Sequence, residues 1–253
     1  MLSVKYWMEE YLEEKYGKEF VVKGVGYRCS YYGDGLYIAG IAHPKDDSNL
    51  QFKIARDSSG GVFGEYQTYG EFPAYISNVW AKQTRKKVKA VLKNDLVWTG
   101  INLTNKKEEL YGRTVSIDEA EKLFEDRMEL YISYVVFVSP EEYRNKFTDF
   151  NNLVNGELSQ DQANELYGTI SKLKNDKYKK ITVIIRCFNK CYQKEVTNEI
   201  MGYFKRGIYE FNVYEDNLLY RIRIHDINHI NQPDDIGFHI DAKDAYSYLY
   251  KIK

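Results

Sequence analysis

The chain has 253 residues, of which 43% are hydrophobic and 29% are charged, and its formal net charge is -1. A chain this close to neutrality has no bulk attraction to nucleic acid or to an anionic membrane, so either role would need a local basic patch. No stretch of the sequence approaches the ~20 apolar residues that a membrane-spanning helix requires.

The first predicted element is an amphipathic helix that Ser3 caps and Gly17 ends. Its apolar residues recur at the i, i+3, i+4 and i+7 spacing of one buried stripe, and glutamates occupy the opposite face. The predicted stripe consists of Val4, Trp7, Met8, Tyr11, Leu12 and Tyr16.

A series of short strands with turns between them follows this helix. Apolar and β-branched side chains alternate or cluster in three segments and predict strands over 20–29, 36–42 and 50–55. Turns are predicted at 33–35 and 44–47. A glycine- and serine-rich loop is predicted over 57–64. Because such a meander cannot bury its apolar face alone, we expect the first helix to pack across it.

A second helix is predicted over 73–93, with Pro73 in its first turn and an apolar stripe that includes Ile76 and Trp80. A strand over 96–103 follows. The charged segment 105–113 shows no period, and we therefore predict two domains, 1–110 and 111–253.

The second half begins with Ser116-x-x-Glu119, which is a capping-box signature ahead of a helix. Residues 130–138 are almost all apolar and predict a central strand. Ser139-Pro140 predicts a further helix start, and Ser159-x-x-Gln162 predicts another.

The remaining elements are a strand over 181–188, a helix over 193–205 and a hairpin of residues 208–214 and 218–224. Periodicity does not decide whether the tail, 241–253, is a helix or a strand. Together these elements predict an α+β protein of two packed units, each an antiparallel or mixed sheet covered by helices.

The sequence lacks the common catalytic signatures. It contains no phosphate-binding loop, no nucleophile elbow, no H-E-x-x-H helix and no C-x-x-C pair. Its three cysteines, Cys29, Cys187 and Cys191, do not form a disulfide framework, and we expect free thiols. No cofactor is expected.

Three late histidines, His225, His229 and His239, are the candidate metal ligands. On a helix, His225 and His229 would stand about 5–6 Å apart and could share a zinc ion with a third ligand, as in a metal-dependent hydrolase. However, the predicted strand over 218–224 runs directly into His225, and a continued strand would separate the pair. Solvated loop residues are therefore the favoured interpretation.

The second helix carries the candidate binding residues Lys82, Arg85, Lys86 and Lys89, together with Lys87 and Lys93. These cations could contact phosphates or acidic lipid headgroups. The alternative is a solvated face whose charge the glutamates of the first helix balance. We favour the solvated face, so nucleic acid is not an expected partner, and peripheral membrane contact stays an alternative.

Two segments carry a resemblance to a known family: 11–20, YLEEKYGKEF, and 43–54, HPKDDSNLQFKI. They resemble a family of small exported, lipoprotein-type proteins of Gram-positive bacteria, in which a helix ends in a YLEEKYGEEF-like segment and strands follow. The resemblance covers about residues 4–93 and is structural. It implies a cell-surface or extracellular location and carries over no catalytic residue, because the family has no assigned activity.

This chain departs from that family by adding some 150 residues and by beginning without a membrane anchor. If the chain as given is the full protein, we expect a cytoplasmic location instead. The abundance of tyrosine, 24 residues, suits half-buried strands and is also typical of binding faces. The sequence thus favours a non-enzymatic binding or interaction module that recognises a protein or a cell-surface component.

Overall fold

The computed structural model describes residues 2–29, 36–57, 63–66, 74–103, 115–125, 127–139, 141, 159–205 and 218–241. Within these residues lie five α-helices and two β-sheets, so the predicted α+β class is confirmed. The helices are Leu2–Tyr16 (α1), Ala74–Leu92 (α2), Ile117–Leu123 (α3), Gln160–Ile170 (α4) and Gln193–Lys205 (α5). A search of the described helices finds none that combines the length and the hydropathy needed to cross a membrane.

The strands are named in chain order. The first sheet contains Phe20–Cys29 (β1), Leu36–Pro44 (β2), Phe52–Asp57 (β3) and Phe63–Tyr66 (β4). The second sheet contains Val97–Leu103 (β5), Met128–Val138 (β6), Lys180–Asn189 (β7), Leu218–Ile224 (β8) and Ile240–Asp241 (β9). In each sheet the spatial order of the described strands follows the chain order.

Helix α1 packs on β1 as predicted, and its buried side chains are those of Met8, Leu12 and Tyr16. Two details of the prediction are wrong. The helix begins at Leu2, so Ser3 lies in its first turn and not at the cap. Trp7 was assigned to the buried stripe, but its side chain is 47% exposed. It lies at the edge of the buried face, and Met8 and Leu12 form the centre of that face.

The first sheet is antiparallel throughout its described strands. The predicted strands and the turn after Pro44 are present, whereas β4 falls partly in the segment that was predicted as a loop. A close approach fixes Gly40 in β2: a Cβ atom there would lie 2.7 Å from Val22 Cγ1 in β1.

The second sheet is mixed. Strands β6 and β7 are parallel, and the other pairs are antiparallel. Parallel neighbours require a crossover connection, and α4 lies in the connection between β6 and β7. The predicted strand over 218–224 is present as β8, whereas its predicted hairpin partner, 208–214, lies outside the described residues, so the hairpin stays a prediction.

Helix starts follow the local sequence. The Ser116 side chain accepts a hydrogen bond from Glu119 N at 3.3 Å at the start of α3. At the start of α4, Ser159 and Gln162 exchange side-chain bonds to each other's backbone N–H, at 3.3 and 3.0 Å. Both predicted capping signatures are therefore confirmed as helix starts.

One hydrophobic core runs through both sheets, from Met8 in α1 to Ile236 near the end of the described chain. Helix α2 contacts β3 and β4 of the first sheet and β5 of the second. Strand β5 precedes the predicted domain boundary and pairs with β6, which follows it. The boundary itself, 105–113, lies outside the described residues, as do the turn 33–35, Pro73, the helix start at Pro140 and the tail 242–253.

Candidate functional site

The predicted binding cations of α2 lie beside acidic side chains of neighbouring segments. Lys82 Nζ lies 2.5 Å from Asp47 Oδ2 in the turn between β2 and β3. Lys89 forms an ion pair with Asp95, and this bond lowers the pKa of the Asp95 carboxyl. These two ion pairs tie α2 to the turn between β2 and β3 and to the segment between α2 and β5.

Several contacts hold Arg85 to its neighbours. Its Nε donates to Val97 O at 2.7 Å, and its Nη2 donates to Asp95 O at 2.9 Å. Its guanidinium carbon stands 3.9 Å from the ring centroid of Phe204 in α5, within cation–π range. A guanidinium bonded in this way joins α2, β5 and α5.

Lys87 forms ion pairs with α3, at 2.7 Å to Asp118 and 3.5 Å to Glu121. Burial opposes the charge of Lys87, but the Asp118 hydrogen bond and the nearby carboxylates outweigh it and raise the pKa of Lys87. Lys86 is exposed and has no ion pair among the described residues. Most of these cations therefore serve contacts inside the protein. Nucleic-acid or membrane binding through α2 stays a prediction.

The late histidines lie in a stretch of 3₁₀ turns after β8. His225 directly follows the strand, and His229 Nε2 lies 3.4 Å from Asp226 Oδ2 on a largely exposed side chain. The side chain of His239 is outside the described part of the structure. Among the side chains that are described, no group of three or more metal-ligating residues could hold a metal ion, and the His225–His229–His239 site stays a prediction.

A different surface, between α1 and the start of β1, forms a groove of about 580 Å³. We call it the α1–β1 groove. Five of its ten lining residues are glutamates and two are lysines. The lining consists of Lys5, Tyr6, Glu9, Glu10, Glu13, Glu14, Glu19, Phe20, Val21 and Lys45.

Two of the five groove glutamates are engaged within the protein. Glu9 Oε1 accepts a hydrogen bond from Val22 N at 2.8 Å and lies 3.4 Å from Lys5 Nζ. Glu19 pairs with Lys45 at 3.1 Å. These bonds join α1 to β1 and β1 to the turn after β2.

The other three groove glutamates, Glu10, Glu13 and Glu14, are exposed, and their carboxylates have no ion pair or hydrogen bond among the described residues. Tyr6 stands beside them and is 66% exposed. The groove therefore combines an exposed aromatic ring with carboxylates that the protein leaves to solvent.

A buried polar cluster joins α1 to β4 and to the start of α2. Glu65 Oε1 accepts hydrogen bonds from Lys15 Nζ at 2.7 Å and from Tyr16 Oη at 2.6 Å, while Oε2 accepts one from Tyr75 N at 3.0 Å. The Glu65 side chain is only 1% exposed. Burial, followed by the Glu65 charge, raises the pKa of Tyr16 well above its ordinary value.

The sequence places the glutamates of α1 on the face opposite the buried stripe and does not predict the groove. The groove exists because Phe20 and Val21 return beside the outer face of the helix after the Gly17 turn. The signal that could have pointed to it is the excess of glutamates over lysines between residues 9 and 19.

The described residues thus define an α+β protein, and the fold assigns it no function. The chain matches no protein-family model and no curated protein. It is similar to the crystal structure of a DUF5037 family protein from the Gram-positive bacterium Ruminococcus gnavus ATCC 29149, with 13% sequence identity and a TM-score of 0.45 over 99% of this chain and 100% of that chain. That family is uncharacterised, and export of this chain stays a prediction.

Proposed function

We propose that this protein is a non-enzymatic binding module whose α1–β1 groove receives a positively charged segment of a protein or cell-surface partner. The observation that carries the proposal is the set of three exposed carboxylates, those of Glu10, Glu13 and Glu14, beside the exposed ring of Tyr6. Interfaces commonly use tyrosine in this way, because its ring contributes apolar area and its hydroxyl a hydrogen bond.

The charge of the lining favours a cationic partner. Five carboxylates and two ammonium groups line the groove, and the internal pairs leave the three solvent-facing carboxylates uncompensated. Complementary charge guides encounter and suppresses wrong partners. A lining this polar also differs from the mostly apolar lining of small-molecule sites, which favours a charged macromolecular segment.

The test uses a short fluorescent oligo-arginine peptide and the triple variant E10Q/E13Q/E14Q, with binding measured by fluorescence anisotropy. Each exposed ion pair contributes about 0.2–1 kcal/mol, so the variant should bind about tenfold more weakly. The matched control is E125Q/D176N/E195Q, which removes three exposed charges elsewhere and changes the net charge equally.

The control should keep its affinity for the peptide within about twofold. An equal loss in both triple variants would show that only the overall charge matters, and the groove assignment would then be wrong. As a second comparison, Tyr6→Ala should weaken binding whereas Tyr27→Ala, an exposed tyrosine away from the groove lining, should not.

A further inference from the structure

The segment that leads from α4 into β7 carries a dense run of positive charge. Five of the nine residues over 172–180 are lysines, and only one is acidic. We call this segment the lysine loop. Its lysines are Lys172, Lys174, Lys177, Lys179 and Lys180, and its acidic residue is Asp176. Because the formal net charge of the whole chain is -1, this excess of cations is a local feature of one surface.

The protein compensates only part of this charge. Lys177 pairs with the buried Glu121 at 3.3 Å, and Lys180 is the direct cross-strand partner of Glu129 in β6. Among the described residues, three lysine side chains have no ion pair or hydrogen bond: Lys172, Lys174 and Lys179. Asp176 is exposed and also has no ion pair within the described part of the chain. Three uncompensated lysines against Asp176 leave the loop an excess of two positive charges.

Hydrogen bonds hold the backbone of the lysine loop in place. Asn228 Nδ2 donates to the carbonyl oxygens of Asn175 and Tyr178, at 3.1 and 3.0 Å. Asn228 Oδ1 accepts from Asn175 N at 3.2 Å, and Lys179 N donates to Met128 O at 2.8 Å. A loop that is already ordered loses little conformational entropy when it binds a partner. The lysines are therefore presented by a preorganised segment.

The lysine loop and the α1–β1 groove have opposite charges. The groove leaves the carboxylates of Glu10, Glu13 and Glu14 to solvent, and the loop leaves three ammonium groups to solvent. Within one molecule these two sets of side chains form no ion pair with each other. Contact between the loop of one molecule and the groove of another would therefore compensate both sets at once.

We propose that the lysine loop of one molecule docks into the α1–β1 groove of a second copy of this chain. The inference rests on the proposed function, because it names the positively charged segment that the groove receives. Since the two surfaces differ, the contact is heterologous, and each pair of molecules keeps one groove and one loop free for further copies. Exposed ion pairs are individually weak and are screened by salt, so this association depends on concentration and on ionic strength.

The first experiment follows the mass of the full chain by analytical ultracentrifugation over a concentration series. At an ionic strength of about 0.01 M, the weight-average mass should rise above that of a monomer as the concentration increases. At about 1 M it should return to the monomer value, because the Debye length falls from about 30 Å to about 3 Å.

A wild-type protein that stays monomeric at every concentration and ionic strength overturns the inference. The oligo-arginine peptide tests the groove separately from self-association. A monomeric wild type that binds the peptide therefore leaves the proposed function standing while the inference fails. A protein that neither binds the peptide nor associates overturns both.

The second experiment removes one surface at a time, with the variants E10Q/E13Q/E14Q and K172Q/K174Q/K179Q. Each variant alone should associate at least tenfold more weakly than the wild type, because three exposed ion pairs are lost. An equimolar mixture of the two should form heterodimers and nothing larger, since it offers one intact loop for one intact groove. A mixture that stays monomeric overturns the inference.

The matched control for the loop variant is K93Q/K190Q/K194Q, which replaces three exposed lysines elsewhere and has the same net charge. It should associate as the wild type does. An equal loss of association in both lysine variants would show that only the overall charge matters, and the docking assignment would then be wrong. If a triple variant does not fold, the double variants E10Q/E14Q and K172Q/K179Q give the same comparison.

An anionic membrane is the other occupant that a basic loop suits, and the same variants test it. Co-sedimentation with vesicles of phosphatidylglycerol and phosphatidylcholine should be equal for the wild type and K172Q/K174Q/K179Q. A monomeric wild type that binds these vesicles, combined with a loop variant that does not, would assign the loop to a membrane surface and overturn the inference.

Discussion

Glu65 is a carboxylate that the fold has almost completely removed from water, and three groups compensate its burial. Lys15 supplies the opposite charge, Tyr16 a hydroxyl and Tyr75 a backbone N–H in the first turn of α2. The carboxylate is placed at the helix start, where an anion is also stabilised by the helix dipole. One side chain thus joins α1, β4 and α2.

Replacing Glu65 with glutamine should destabilise the protein strongly. The amide keeps the shape of the side chain but leaves the Lys15 ammonium, which is 8% exposed, without its counter-charge. Breaking one side of a buried ion pair costs about 3–5 kcal/mol, and we expect E65Q to lose about 3 kcal/mol in urea unfolding.

The control for this prediction is the double variant K15M/E65Q. When both charges of a buried pair are replaced, much of the stability returns. The double variant should therefore be more stable than E65Q by about 2 kcal/mol. A double variant that is no more stable than E65Q would contradict the role assigned to the ion pair.

The protonation of three buried tyrosines makes the free energy of unfolding depend on pH in the alkaline range. Burial raises the pKa of Tyr16, Tyr134 and Tyr178 above the ordinary value, and the Glu65 and Glu121 carboxylates raise those of Tyr16 and Tyr178 further. The unfolded chain releases these protons near pH ~10, whereas the folded chain retains them. Stability from the protonated tyrosines is therefore complete below pH ~10 and is lost as the pH rises above it.

Above that pH, each such tyrosine should remove about 1.4 kcal/mol of stability per pH unit. Tyr16→Phe should make this slope smaller by about 1.4 kcal/mol per pH unit. At neutral pH the variant also lacks the hydrogen bond to Glu65. Tyr27→Phe, which changes an exposed ring, should leave the slope unchanged. Denaturant unfolding at a series of alkaline pH values measures all three proteins, and equal slopes for Y16F and the wild type would refute the assignment.

At the scale of the elements, helix ends were predicted well because their signals are local. Gly17 ends α1 with a φ of 65°, and Ser159 starts α4 with a complete capping box. Strand β4 was missed because its described run, Phe63–Tyr66, is too short to show alternation. The Ser3 cap failed because an isolated serine is a weak signal when the following residues do not fix where the helix begins.

Two glycines should respond to alanine with opposite signs. Gly17 has a left-handed conformation, and no heavy atom lies within 4 Å of the position that a Cβ atom would take, so the cost of Gly17→Ala is conformational, about 1 kcal/mol. Gly168 lies inside α4 and also has open space, so Gly168→Ala should stabilise by about 0.5–1 kcal/mol. Thermal unfolding measures both, and a stabilising G17A variant would show that the turn does not need a glycine.

At the scale of the whole molecule, the sequence allowed the class of fold to be predicted, but not the convergence of side chains. The α2 cations were correctly located on one helix, yet their bonds to Asp47, Asp95 and Asp118 depend on contacts between distant segments. The α1–β1 groove likewise depends on the packing of α1 beside the start of β1. Composition and periodicity describe one element at a time and cannot reveal such pairings.

The bond between the Glu9 carboxylate and Val22 N has a consequence for self-association. Strand β1 lies at an outer position among the described strands of its sheet, where an unpaired amide can recruit a strand from another molecule. Helix α1 packs on this strand, and its Glu9 carboxylate accepts the hydrogen bond of the Val22 amide. We therefore expect the helix that lines the groove also to hinder edge-to-edge pairing of this sheet with a second molecule.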